Sequence, residues 1–172
     1  SSGRAGDPRV ALLRMRKAPN PTFVNYGART SIGAFGPVMA EQLDPSVGWK
    51  EVEWVRSLWD GPMILKGILH PDEARDARML GIEAVVVSNH GGRQLDGAIS
   101  GIEALAPIVD AVGPDMAVIV DGGFRRGADV VKALALGARA VIIGRPQLWG
   151  VACGGEEGVH WVLEIFQREI DR

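Results

Sequence analysis

From Gly61 onward, short β-branched and aliphatic runs alternate with longer stretches whose apolar residues recur at helical spacing. The runs are "PMILKGI", "AVVVS", "MAVIVD" and "RAVIIG". Each is apolar at both alternate positions, which predicts parallel strands covered on both faces and not the in/out alternation of a half-exposed sheet. Between them lie "HPDEARDARMLG", "SGIEALAPIVDAVG" and "RRGADVVKALALGA", each closed by a glycine suited to a helix C-terminus. Measured from Met63, Ala84, Ala117 and Ala140, the units repeat after 21, 33 and 23 residues, close to the roughly 30 of a βαβ unit. The longest interval holds a loop, "SNHGGRQLDG", that ends the second strand on a histidine, two glycines and an arginine.

Ahead of the repeat, "VGWKEVEWVRSLW" predicts an amphipathic helix whose Trp49, Trp54 and Trp59 pack against a sheet. After it, "GGEEGVHWVLEIFQREIDR" predicts a final helix starting near Glu156 or Glu157. Residues 1–41 have no steady period and read as an irregular loop segment, whereas residues 42–172 carry the repeating units. Four parallel βα units fit an open doubly wound sheet or half of an eight-stranded barrel.

Composition narrows the partners. The chain has 172 residues, 47% hydrophobic and 23% charged, with a formal net charge of -2, which suits an apolar core and gives no general attraction to nucleic acid. Any anion site is therefore local. Cys153 is the single cysteine, and Cys and His nowhere cluster at metal spacing, so the expectation is a reducing, cytoplasmic setting without metal. No apolar run approaches the roughly 18–20 residues that cross a bilayer, so an integral membrane protein is not expected. Peripheral contact stays open, because "RVALLRMRK", Arg9 to Lys17, sets basic residues around Leu12, Leu13 and Met15, as at a lipid interface.

In parallel α/β folds ligands bind beyond the carboxyl ends of the strands, and the polar residues of interest fall there. Lys66 sits in "ILKGI", where a charge in an otherwise apolar strand calls for an anionic partner. His90 and Arg93 follow the next strand as a base and an anion clamp. "VDGGFRRG" and "IIGRP" end the third and fourth strands. Glycine there lets backbone approach a ligand, and arginine supplies a planar fork, so Gly123, Arg125, Gly144 and Arg145 together suit a phosphate. The glycines do not follow the dinucleotide spacing.

In this order and spacing, "LKGI", "VSNHGGRQLD", "DGGFRRGADVVKALALGA" and "IGRP" resemble the FMN-dependent 2-hydroxy acid oxidase and dehydrogenase family, and "AIS" with "GFRRG" is most similar to its bacterial mandelate and L-lactate dehydrogenase branch. The resemblance implies the C-terminal half of a (β/α)8 barrel, the last four βα units, and FMN as cofactor. It implies that Lys66 sits near the flavin pyrimidine edge, Ser88 contacts the flavin, Asp121 binds ribityl hydroxyls, and Gly123, Arg125, Gly144 and Arg145 surround the phosphate. His90 would be the catalytic base and Arg93 the carboxylate clamp for a small L-2-hydroxy acid. Either the hydroxyl proton or the α-carbon proton would suit that base. The resemblance also implies a quinone or other electron acceptor, a homo-oligomer, and peripheral attachment at the inner face of the cytoplasmic membrane through the segment containing Arg9 to Lys17. A flavin-free phosphate-binding barrel, an isomerase or lyase, would share "DGG" and "IGR" without needing Lys66, His90 and Arg93 together. An inactive half-barrel is the non-enzymatic alternative.

Overall fold

The computed structural model describes residue 44 and residues 46–172; the basic segment Arg9 to Lys17 lies outside them. The chain divides into two units, Ser1–Val55 and Arg56–Arg172. In the described part of the first, Asp44 accepts hydrogen bonds from the Ser46 hydroxyl and backbone amide, which hold its carboxyl below the usual carboxylate range. Helix α1 (Trp49–Leu58) follows, with the Gly48 amide donating to Glu51 at 2.7 Å.

The second unit is a four-stranded parallel sheet in sequential order: β1 (Ile64–Ile68), β2 (Ala84–Val87), β3 (Ala117–Asp121) and β4 (Ala140–Ile142). Crossover helices α2 (Pro71–Met79), α3 (Gly101–Val112) and α4 (Gly127–Ala135) join them. Every predicted strand and crossover helix is present. Gly81 and Gly137, one residue past the caps of α2 and α4, take left-handed φ values of 71° and 97°, which is what stops those helices. Ser100 and Glu103 form a reciprocal cap at the start of α3, and Ala104, Leu105, Ile108 and Val112 bury one stripe of that helix.

Burial alternates where the sequence predicted coverage of both faces. β2 is buried throughout, but β3 alternates, with Val118 and Val120 buried under the helices and Ile119 and Asp121 half-exposed. Register places Lys66 beside Val86, Val86 beside Ile119, Ile119 beside Ala140, and Asp121 beside Ile142. Lys66, Val86, Ile119 and Asp121 thus share the face away from the helices. Exposure on that face falls on the other strands, with Ile64 and Ile142 exposed and Ile119 half-exposed, whereas Val86 in β2 is buried.

One further expectation is corrected. Trp54 and Trp59 are 63% and 55% exposed instead of packed away, and the Trp59 indole donates to the Pro62 carbonyl at 3.2 Å. The expected helix from Glu156 onward is present as the second part of α5 (Arg145–Ile170), past a break at Gly154 and Gly155, the latter with φ 60°; the part before the break, from Arg145, is an addition to that expectation. Pro146 lies in its first turn, where a fixed φ and a missing N–H favour helix initiation; the glycines downstream obscured the apolar period. Past the break the chain doubles back, so Gly150 meets Gly158 backbone to backbone with no room for a Cβ on either. The C-terminal part of α5 reaches α4: Glu169 accepts the Gly127 amide at 2.7 Å and pairs with Arg126 at 3.0 Å.

Candidate functional site

At the carboxyl ends of the four strands lies a cavity of about 390 Å³. Lys66 from β1, His90 and Arg93 from the loop after β2, Asp121, Gly123 and Arg125 from the end of β3 and its loop, and Gly144 and Arg145 from the start of α5 all line it. Residues scattered over 80 positions of sequence therefore converge because each ends or follows a strand of one parallel sheet.

Lys66 has the anionic partner its position demanded. Its ammonium lies 2.8 Å from Asp121 Oδ2 and donates to Ser88 Oγ at 2.8 Å. The Lys66 side chain is 44% exposed and that of Asp121 16%, so the pair sits at the cavity wall and not in a dry interior, where desolvation would oppose it. Ser88 is the hydroxyl next to this pair. It is fully buried and does not line the cavity; its hydroxyl accepts from Lys66 and from the His90 amide at 3.1 Å. β2 ends one residue earlier, at Val87.

That loop is built from unusual backbone. His90, Gly91 and Gly92 have φ values of 57°, 70° and 72°, three successive left-handed residues, of which two carry no Cβ penalty. Asn89 knits the turn, accepting the Gly92 amide at 3.1 Å and donating to the Ile99 carbonyl at 3.3 Å. The two glycines after the histidine are thus the means by which the chain reverses, and the reversal lifts His90 and Arg93 to the cavity.

At the other end, Gly122 and Gly123 have φ 91° and 82° and lead into α4, where Asp129 accepts the Arg125 and Arg126 amides, both at 3.1 Å. Arg125 lies over the Trp149 ring, 5.7 Å from its centroid. Among the described residues no ion pair uses Arg93, Arg125 or Arg145. Three guanidinium groups around one cavity, none neutralised by a carboxylate, favour an anionic occupant. Two buried acceptors, Asp121 Oδ1 and Gln147 Oε1, have no hydrogen-bond partner, and both residues line the cavity. Orphaned acceptors of this kind match hydroxyl donors on a ligand. The residues therefore fit a group that joins a phosphate to a hydroxylated chain, as FMN does. Gln147 and Trp149 escaped the sequence reading because they lie in the helical turn after "IIGRP", taken there as loop. Asn89 escaped because an asparagine in a turn is common. The described residues contain no His, Cys, Asp and Glu cluster able to hold a metal ion.

Residues 6–172 match the model of the FMN-dependent dehydrogenase family, and the chain belongs to that family. It is 50% identical over 144 residues to an L-lactate dehydrogenase of Pseudomonas syringae pv. syringae, covering 84% of this chain and 38% of that protein. An L-lactate oxidase of Nostoc sp. is 54% identical over 132 residues, covering 77% of this chain and 36% of the relative. Among solved structures, a mandelate oxidase variant with (S)-mandelic acid is 52% identical with a TM-score of 0.70, covering 72% of this chain and 37% of that one. A mandelate oxidase variant with a monooxide FMN adduct gives 0.69 at the same identity, covering 72% of this chain and 40% of that one. The chain thus spans less than half the length of these relatives, and its four parallel βα units are those of half a (β/α)8 barrel. Family membership does not favour the flavin-free isomerase or lyase.

Proposed function

We propose that this chain carries the phosphate grip, the base and the carboxylate clamp of an enzyme that uses FMN to oxidise a small L-2-hydroxy acid, of lactate or mandelate type, to the 2-oxo acid. The observation that carries this reading is the convergence of Lys66, His90, Arg93, Asp121, Arg125 and Arg145 on one cavity. FMN, when bound, supplies a two-electron acceptor. Arg125 and Arg145 hold its phosphate, with Gly123 and Gly144 allowing close backbone approach, and Asp121 Oδ1 accepts from the hydroxylated chain. Lys66 brings positive charge to the cavity wall, where it would favour a bound group that gains negative charge. Arg93 clamps the substrate carboxylate and His90 accepts a proton leaving the substrate. Oxidation of the alcohol releases two electrons and two protons: His90 would take one proton, and the electron pair would leave with the other to FMN, when bound.

The names of the relatives, L-lactate dehydrogenase and L-lactate oxidase, support the substrate class and leave two acceptors. The basic and apolar segment Arg9 to Lys17 favours a membrane quinone, with the protein peripheral at the inner face of the cytoplasmic membrane. Among the described residues no helix is long and apolar enough to cross a membrane. The test is stopped-flow reduction of the flavin-loaded protein by L-lactate and by mandelate. His90→Ala is expected to retain FMN and slow reduction at least about a hundredfold, while Arg93→Lys mainly raises the substrate concentration needed. Reduction at the wild-type rate in His90→Ala overturns the base assignment, and rapid hydrogen peroxide release overturns the quinone.

A further inference from the structure

His90 is held from two sides. Below its ring, β1 carries an irregularity: Lys66 pairs with Val86 and Ile68 with Val87, leaving Gly67 as an extra residue with φ 102°. A bulge of this kind redirects side chains. Here it keeps Lys66 on the cavity face and turns Ile68, only 6% exposed, toward the helices. It also brings the Gly67 backbone under the imidazole. A Cβ on Gly67 would stand 3.0 Å from His90 Cε1 and 3.8 Å from Nε2, closer than the ring allows without moving. On the backbone side, the His90 amide donates to the buried Ser88 hydroxyl at 3.1 Å. That oxygen also accepts from Lys66, so both of its acceptor sites are engaged inside the protein. His90 is the only non-glycine described residue with positive φ, a conformation that costs free energy and persists where its surroundings fix it.

We infer that Gly67 and Ser88 are positioning residues for His90: the bulge glycine leaves the space its imidazole occupies, and the buried hydroxyl anchors the left-handed backbone that presents it. The inference rests on the reading of His90 as the base and assigns Ser88 a part distinct from direct flavin contact. The chain has three histidines, His70, His90 and His160, so His70 and His160 serve as internal controls in a proton NMR spectrum of the imidazole Hε1 signals. Wild-type protein is expected to give a nuclear Overhauser effect between His90 Hε1 and the Gly67 Hα protons. Ser88→Ala should weaken it and shift the His90 signal, and Gly67→Ala should shift that signal further, with His70 and His160 unmoved. In flavin-loaded protein both variants should slow reduction by L-lactate by about ten- to a hundredfold, the scale of a misplaced reacting group, with FMN affinity within about threefold of wild type. If Gly67→Ala brings all three signals to one common position, it has unfolded and Ser88→Ala decides. A His90 signal unmoved in Ser88→Ala overturns the inference, as does loss of FMN affinity there without movement of His90. A displaced His90 with undiminished reduction leaves the seat standing and removes His90 as the base.

Discussion

Lys66 shows how far single residues were legible. A lysine inside an apolar strand signals a partner anion, and Asp121 is that anion, 2.8 Å away. The sequence marked both residues but not their pairing, because the contact is set by strand register, which local patterns do not encode. The hydrogen bonds of Ser88 to Lys66 and to the His90 amide were hidden for a related reason: they depend on strand register and on the left-handed turn at His90–Gly92, which rests on three consecutive φ values. The arginines were the easiest to read, since a guanidinium after each of two successive strands has few structural uses. A prediction follows for Arg145. Riboflavin lacks the phosphate of FMN, so Arg145→Ala should weaken FMN binding by at least about tenfold, the worth of a charge-assisted hydrogen bond, and leave riboflavin binding nearly unchanged. Quenching of flavin fluorescence measures both. Equal losses for the two ligands would move Arg145 away from the phosphate.

At the level of elements, the βα order, the strands and the helix-closing glycines were legible because each rests on a local rule: β-branched runs, a 3.6-residue period, and left-handed glycine past the cap. The first half of α5 was not, since glycines at 150, 154 and 155 interrupt its period and are tolerated only where the chain doubles back on itself. The Ser100–Glu103 cap of α3 yields a pH prediction. The Ser100 hydroxyl, and then its backbone amide, hydrogen-bond to the Glu103 carboxylate and hold its pKa below the usual carboxylate range. A carboxyl depressed in the folded state contributes stability above its unfolded value and loses it as pH falls through the folded one. Glu103→Gln should therefore melt below wild type at neutral pH. The gap should close between about pH 5 and pH 3, where the wild-type carboxyl is protonated. Parallel melting curves at every pH would show that the charge of Glu103 contributes nothing to the cap.

On the scale of the whole molecule, the sheet has two edge strands among the described residues, β1 and β4, each with one hydrogen-bonded neighbour. Apart from the Lys66–Asp121 pair at the cavity end, its face away from the helices is apolar: Ile64, Val86, Ile119 and Ile142 alternate into it by register, and Ile64 and Ile142, on the two edges, are 58% and 42% exposed. In a closed barrel such a face is the packed interior and the edges disappear. The sequence announced the apolar face but not its exposure, because composition reports what a surface favours and not what lies against it. An unpaired edge with an apolar inner face is a template for association. The 172-residue chain on its own is therefore expected to associate with itself, with an apparent mass that rises with concentration above the 18.4 kDa of one copy. Ile64→Lys should shift the distribution toward the monomer, since Ile64 lies at the start of β1 outside the cavity lining, and a lysine there opposes both edge pairing and burial of the inner face. Light scattering coupled to size-exclusion chromatography across a hundredfold range of concentration measures this. A constant monomer mass in the unsubstituted chain, or an unchanged distribution in Ile64→Lys, would mean that the inner face and the β1 edge are already covered within one copy.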